Sequence, residues 1–160
     1  MLERLFPGAA HLQNIHPVVV HFPIALLLVA TVLYFLGASS RNEFITGAAL
    51  WALVLGAIGA LLSAGTGLYA SEGVMIAPSV RDALLIHHRN LMVAVTALTG
   101  ALTVWALAAR PLPRRGRWAF LIGLVAMCVL IARGADYGGR LVYDYNAGGN
   151  ACGQPIDFSK

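Results

Sequence analysis

The chain of 160 residues is 59% hydrophobic, only 11% charged and carries a formal net charge of +4, with a mean hydropathy of +0.75. Soluble domains usually have about 25% charged residues, so this composition excludes an ordinary soluble protein. The positive balance does not indicate a nucleic-acid partner, because four arginines are crowded into one short segment, residues 110–117. We interpret that segment as a signal of membrane topology.

Four long apolar segments predict the architecture; they cover residues 17–38, 44–70, 91–109 and 118–135. A helix needs about 20 apolar residues to cross the hydrocarbon layer, and these segments lack the polar outer face that helices of a soluble bundle would show. We therefore predict an all-α fold, an integral membrane four-helix bundle with short polar termini. Residues 1–147 form this single domain, and residues 148–160 form a polar C-terminal tail. The first segment is not expected to be a signal peptide, since it lacks a basic leader and a small-residue cleavage site.

The first predicted helix opens with two histidines and two prolines, His16, Pro17, His21 and Pro23. Pro17 suits a first helical turn, where the missing N–H would have no partner in any case. Pro23 removes a hydrogen bond inside the helix, which predicts either a distorted first turn or a regular helix that begins only at Pro23. Both alternatives place His21 near one membrane surface, where polar side chains are candidate functional residues.

The second predicted helix is rich in small residues at every fourth position, in two rows: Ala52, Gly56, Ala60 and Ala64, and Gly59, Ser63 and Gly67. Such rows let helix backbones approach closely in lipid. The alternative is that they leave room for a flat cofactor.

The third predicted helix begins near Ser79, because Ser79 and Asp82 have the spacing of a capping box. His87, His88 and Arg89 lie in the turn that precedes its apolar core. They therefore lie at or just outside the membrane surface.

A stiff basic loop at residues 110–117 leads into the fourth helix, which is predicted to run from Trp118 to about Ala135. A turn at residues 137–139, Tyr-Gly-Gly, is expected to end it. The segment that follows becomes rich in Gly and Asn, and we expect it to pack as a short flap or stay loose.

The connectors 38–43 and 110–117 contain five of the eleven Lys and Arg residues. Short loops dense in arginine favour the cytoplasmic side of a membrane. Both termini are therefore expected on the opposite side, in the periplasm or outside the cell.

Helices one and three run in the same direction in such a bundle, so their histidines share one end. His16 and His21 are five residues apart and diverge by about 140° on a regular helix, whereas His87 and His88 differ by about 100°. We therefore predict that His21 pairs with either His87 or His88 and bridges helices one and three. His16 would then cap the helix or bind a second ligand.

Two imidazoles on neighbouring membrane helices have three interpretations. In the first, they are the axial ligands of haem b, whose propionates Arg89 and Arg140 could pair. In the second, His21, His87 and His88 hold a divalent metal ion, although their spacing matches no closed structural zinc site. In the third, the histidines lie at the interface and bind backbone carbonyls that the prolines leave without partners. The sequence leaves all three open.

Three motifs carry a family resemblance: NIHPVVVHFPIA at residues 14–25, HHRN at 87–90 and YGGRLVY at 137–143. In these the chain resembles a bacterial family of four-helix membrane proteins catalogued as domain of unknown function 2231. The resemblance covers about residues 12–145. It implies the four-helix fold and a multi-pass location in the bacterial inner membrane, and it implies no activity.

The leading hypothesis is an electron-transfer or redox-accessory subunit that binds haem b near the periplasmic face. It would relay electrons between the quinone pool and a periplasmic cytochrome or a larger respiratory or photosynthetic complex. The alternatives are a non-redox structural or assembly subunit and a metal-binding membrane protein. Catalysis by the chain alone is not expected, because it has neither a Gly-rich phosphate loop nor a Ser-His-Asp or Cys-His order. The lipid bilayer is an expected partner and nucleic acid is not.

Overall fold

The computed structural model describes residues 15–74 and 76–147. Within them the chain forms four long helices: α1 (His16–Ser40), α2 (Glu43–Gly73), α3 (Pro78–Ala109) and α4 (Arg117–Tyr143). Each is long and apolar enough to cross a membrane, so the all-α, four-helix membrane fold is confirmed. The predicted tail at residues 148–160 lies outside the described residues.

The bundle is built from two helix pairs, because α1 packs along α2 and α3 packs along α4, while α2 also contacts α3. The largest fully buried side chains lie where these pairs meet: Leu27, Tyr34, Leu53, Phe120, Leu124 and Met127. The opposite faces expose large apolar side chains such as Trp51, Ile58, Val104 and Ile122. A protein with such faces needs an apolar surrounding, which a bilayer supplies.

Two short connectors form one end of the bundle, which we call the arginine end: Arg41-Asn42 and residues 110–116, together with Arg117 at the start of α4. Asn42 caps α2, since its side-chain oxygen accepts from the backbone N–H groups of Phe44 (2.9 Å) and Ile45 (3.3 Å). The buried Tyr34 hydroxyl of α1 donates to the Pro111 carbonyl at 3.1 Å. This bond ties α1 to the connector between α3 and α4.

Side chains of α1 fill the space beside the small residues of α2. A Cβ added at Gly56 would lie 2.6 Å from Leu27 Cδ2, and one at Gly67 would lie 2.7 Å from His16 Cε1. A Cβ at Gly59 would lie 3.1 Å from the Phe22 ring. Close packing of the two backbones therefore accounts for these positions in both rows, because α1 side chains occupy the space beside them.

The starts of α1 and α3 lie close to the predicted positions, but their details decide between the sequence alternatives. α1 begins at His16 with the turn His16–Val19 and continues as His21–Ser40, and Val20 between them keeps a right-handed helical backbone. Pro23 therefore does not delay the helix. α3 begins at Pro78 with Ala77 as its N-cap and no side-chain cap bond. The predicted capping box is wrong, because the N-cap is Ala77, whose side chain has no hydrogen-bond acceptor, and Ser79 already lies inside the helix.

The end of α4 also differs, because the helix continues to Tyr143 through the predicted turn at residues 137–139. Gly134 and Gly138, in this last part of α4, pack closely against α3. A Cβ at Gly134 would overlap Met92, and one at Gly138 would lie 2.9 Å from His88 Cε1. At these two positions a side chain larger than hydrogen would displace Met92 or His88, so glycine lets α3 and α4 pack closely.

Candidate functional site

Four of the histidines lie together at the end of the bundle opposite the arginine end, where α1 and α3 begin and α2 and α4 end. We call it the histidine end. His16 and His88 are partly buried there, whereas His21 and His87 are exposed. The partly buried pair is the candidate site.

The His16 ring is held by the last turns of α2. Its Nδ1 lies 3.2 Å from the Thr66 hydroxyl, and that hydroxyl donates its own proton to the Ser63 carbonyl at 3.1 Å. With the Thr66 proton directed to Ser63, Nδ1 is the donor to Thr66, and this arrangement corresponds to the tautomer with its N–H on Nδ1. The ring also lies against Gly67, where a side chain would collide with it.

The His88 ring is held by α4 in the same way. Its Nδ1 lies 2.8 Å from the Gly134 carbonyl, and a carbonyl can only accept, so Nδ1 again carries the proton. The ring packs against Gly138. His88 thus joins α3 to α4 and keeps its lone pair on Nε2.

The two rings meet between the helix pairs, with centres 6.4 Å apart and planes at 80° to each other. Two imidazoles bonded to opposite sides of one ion by metal–nitrogen bonds of about 2 Å have ring centres roughly 6 Å apart. Histidine ligands also usually donate their second ring N–H to a carbonyl or another acceptor, which fixes the tautomer. The separation and the Nδ1 anchors therefore suit two ligands of one metal centre.

His21 and His87 are placed differently. His21 Nδ1 lies 2.6 Å from the Pro17 carbonyl of its own helix. His87 Nδ1 lies 3.2 Å from the Asp82 carbonyl, and its ring stacks on Tyr137 at 5.7 Å. The structure therefore brings His16, not His21, to His88. The reason is that α1 begins at His16, which makes that residue level with His88, and the five-residue spacing turns His21 to the exposed face.

The two arginines predicted to pair with propionates are both exposed at this end. Arg140 Nε lies 3.5 Å from Asp144 Oδ2, in a pair whose two side chains are about half exposed. Such surface pairs contribute about 0–1 kcal/mol, so a stronger anion could displace Asp144. Arg89 follows His88 directly and forms no ion pair within residues 15–74 and 76–147.

A π-helical turn, Arg81–Leu85, precedes the two histidines of α3. Its Arg81 Nη2 donates to the carbonyls of Ser71 (3.4 Å) and Val74 (3.2 Å) at the end of α2. Because a π-turn changes the number of residues per turn, it sets which of His87 and His88 faces inward, and such turns are frequent at functional sites. No sequence signal indicated it.

Sequence reasoning also missed the supporting residues Ser63, Thr66 and Gly138. Ser63 Oγ is buried and has no hydrogen-bond partner among the described residues, although the Ser63 backbone is a hydrogen-bonding neighbour of His16. A signal for the site was present in α2, because Ser63 and Gly67 belong to the row of small residues that faces α1.

A metal site with three or more protein ligands has no counterpart in the described part of the chain, where no group of three His, Cys, Asp or Glu side chains could hold an ion. The histidine pair could supply two ligands. Water molecules or a cofactor would have to supply the others.

Comparison with known proteins identifies a family and no activity. The family model described as predicted membrane protein (DUF2231) matches residues 12–151, which include all four helices and the histidine pair. No curated protein and no solved structure matches the chain.

Proposed function

The chain belongs to the DUF2231 family of predicted membrane proteins, and on that premise we propose that it is a membrane-embedded redox-accessory protein that binds haem b through His16 and His88. The observation that carries the proposal is the pair itself. Two imidazoles from different helices lie 6.4 Å apart, and each has its Nδ1 anchored, so that the lone pair resides on the nitrogen that binds iron in haem proteins.

The residues of the chain have distinct parts in this proposal. Thr66 and the Gly134 carbonyl orient the two ligand rings, and the glycines beneath the rings let them lie close to the helix backbones. Arg89 and Arg140 are the candidate partners of the propionates. The bound iron would supply the one-electron chemistry.

The face between α1 and α2 cannot take the macrocycle, because α1 side chains already fill it. We therefore place the group between the two helix pairs, where the His16 and His88 rings meet. Helical bundles commonly hold cofactors between facing helices in this way.

The proposed topology places the arginine end in the cytoplasm and the histidine end at the periplasmic face of a bacterial inner membrane. Support comes from the arginine density of the two short connectors. A haem near the periplasmic face would suit electron exchange between the quinone pool and a periplasmic cytochrome or a larger respiratory or photosynthetic complex.

A second candidate function, as a structural or assembly subunit, is favoured by the same bonds. The His16–Thr66 contact joins α1 to α2, and the His88–Gly134 bond joins α3 to α4. The ring contact between His16 and His88 then connects the two helix pairs. In this alternative the histidines hold the end of the bundle together and bind no prosthetic group.

The two functions are separated by spectroscopy on the purified full-length protein. After expression with a haem supplement, the redox function predicts a Soret band and a reduced-minus-oxidised α band, with haem and protein in equal amounts. A protein that stays folded and shows neither band would contradict it and leave the structural function. Elemental analysis of the same sample reports a third outcome, a metal ion without haem.

A further inference from the structure

A cavity of about 440 Å³ lies at the arginine end, remote from the histidine pair. The residues that line it come from the α3–α4 connector and the first turn of α4: Leu112, Pro113, Arg114, Gly116, Arg117 and Trp118. Leu112 and Pro113 form its inner wall, since both are at least partly buried, and the two arginines and Trp118 are exposed. The cavity therefore has an apolar wall and a cationic rim.

The charge around this cavity is not neutralised. Five arginines lie at this end, at positions 41, 110, 114, 115 and 117, with Glu43 as the one acidic residue of the two connectors and the adjoining first turns. Within residues 15–74 and 76–147 the one ion pair is Arg140–Asp144, at the opposite end. The five guanidinium groups thus have no carboxylate partner in the described structure, which leaves a strong attraction for an external anion.

The shape of the rim favours a phosphate. Arg114 and Arg117 border the cavity from the two sides of Gly116, and the Arg117 guanidinium lies 5.6 Å from the centre of the Trp118 ring. A guanidinium presents a planar fork of donors that matches phosphate oxygens. Stacking on an aromatic ring limits the freedom of that fork, so less entropy is lost when an anion binds.

The position of the cavity along the membrane normal favours a lipid as the source of this phosphate. Trp118 occupies the first turn of α4 and is 67% exposed, which is the position of an interfacial aromatic side chain at the level of the headgroups. Exposed apolar side chains follow along the same helix, including Ile122 and Val125, and they offer a path for acyl chains. A free phosphate ion would use the rim but not this apolar face.

We propose that this cavity is a binding site for an anionic phospholipid, whose phosphodiester is held by Arg114 and Arg117 while its acyl chains lie along α4. Basic pockets at the membrane surface bind such headgroups in other membrane proteins. The site is independent of the histidine pair and of any haem.

Native mass spectrometry of the full-length protein in detergent tests the proposal, with phosphatidylglycerol, phosphatidylcholine or inorganic phosphate added separately. The test protein is the double variant R114Q/R117Q, which lacks both rim arginines. Its matched control is R41Q/R115Q, which removes the same charge at the same end from residues that do not line the cavity.

We expect the wild-type protein to retain phosphatidylglycerol in preference to phosphatidylcholine. Retention should fall about tenfold in R114Q/R117Q, and the control should lose less than about threefold. Equal losses in both variants would reduce the effect to general surface charge and overturn the proposal. Equal retention of the two lipids would also overturn it. Retention of inorganic phosphate to the same extent as phosphatidylglycerol would overturn it as well.

Discussion

The rings of His16 and His88 meet at the histidine end with centres 6.4 Å apart and planes at 80°. Neither ring is placed by its own helix alone, since Thr66 of α2 anchors the first and the Gly134 carbonyl of α4 anchors the second. The contact therefore depends on all four helices. A change in any of the supporting residues should alter the positions of the His16 and His88 rings.

Gly138→Ala should destabilise the protein, because the added Cβ would lie 2.9 Å from His88 Cε1 and the ring would have to leave the Gly134 carbonyl. Overpacking of this kind costs about 1–3 kcal/mol. The matched control is the neighbouring Gly139→Ala, where the nearest atom, Tyr143 Cδ2, lies at an ordinary 3.9 Å. Thermal unfolding in detergent measures both variants, and equal melting temperatures would contradict the proposed packing.

Gly67→Ala should act in the same way on the other ring, since its Cβ would lie 2.7 Å from His16 Cε1. Two residues earlier, Gly65 has no heavy atom within 4 Å of a built Cβ, so Gly65→Ala should be neutral or stabilise the helix by up to about 1 kcal/mol. Reversible unfolding in mixed micelles would measure the difference. A Gly65→Ala variant less stable than Gly67→Ala would be inconsistent with the contact.

Thr66→Val should lower stability by about 1 kcal/mol, because it removes the hydrogen bond between His16 Nδ1 and the Thr66 hydroxyl that joins α1 to α2. Ser63→Ala, one turn earlier, should be neutral or stabilising, since it removes a buried hydroxyl that has no partner among the described residues. Both are measured by unfolding of the protein without added haem. Similar losses in the two variants would argue against the assigned hydrogen bonds.

Tyr34→Phe should cost about 1 kcal/mol, because the buried hydroxyl donates to the Pro111 carbonyl at 3.1 Å. Tyr69→Phe is the control, since Tyr69 is 80% exposed and should be insensitive to loss of its hydroxyl. Melting temperatures of the two variants would show whether the hydrogen bond contributes. No difference between them would mean that it does not.

The four membrane helices could be predicted because their apolar runs are long enough to cross a bilayer, a property of composition that does not depend on packing. The helix ends could not be predicted in the same way. At residues 137–139 the sequence suggested a turn, yet the helix continues through them, and Gly138 provides space for the His88 ring of another helix. A glycine that serves a turn and one that serves close packing look alike in sequence.

At the histidine end, too, one part of the arrangement could be predicted from the sequence and another part could not. The sequence indicated that the histidines of helices one and three share an end, and the structure brings His16 and His88 together there. It did not indicate which histidines meet, because this depends on where α1 begins and on the π-turn Arg81–Leu85. Those two features set the axial level and rotation of each ring, and only the packed bundle determines them.

The most direct test of the central claim is the haem content of four single variants, His16→Ala, His88→Ala, His21→Ala and His87→Ala, each purified after expression with a haem supplement. The account predicts that the first two lose the reduced α band and that the other two retain wild-type haem content. His87→Ala is the closest control, since it removes an imidazole one residue away from the proposed ligand. Loss of haem from His21→Ala together with full retention in His16→Ala would contradict the account, and so would a folded wild-type protein that binds no haem.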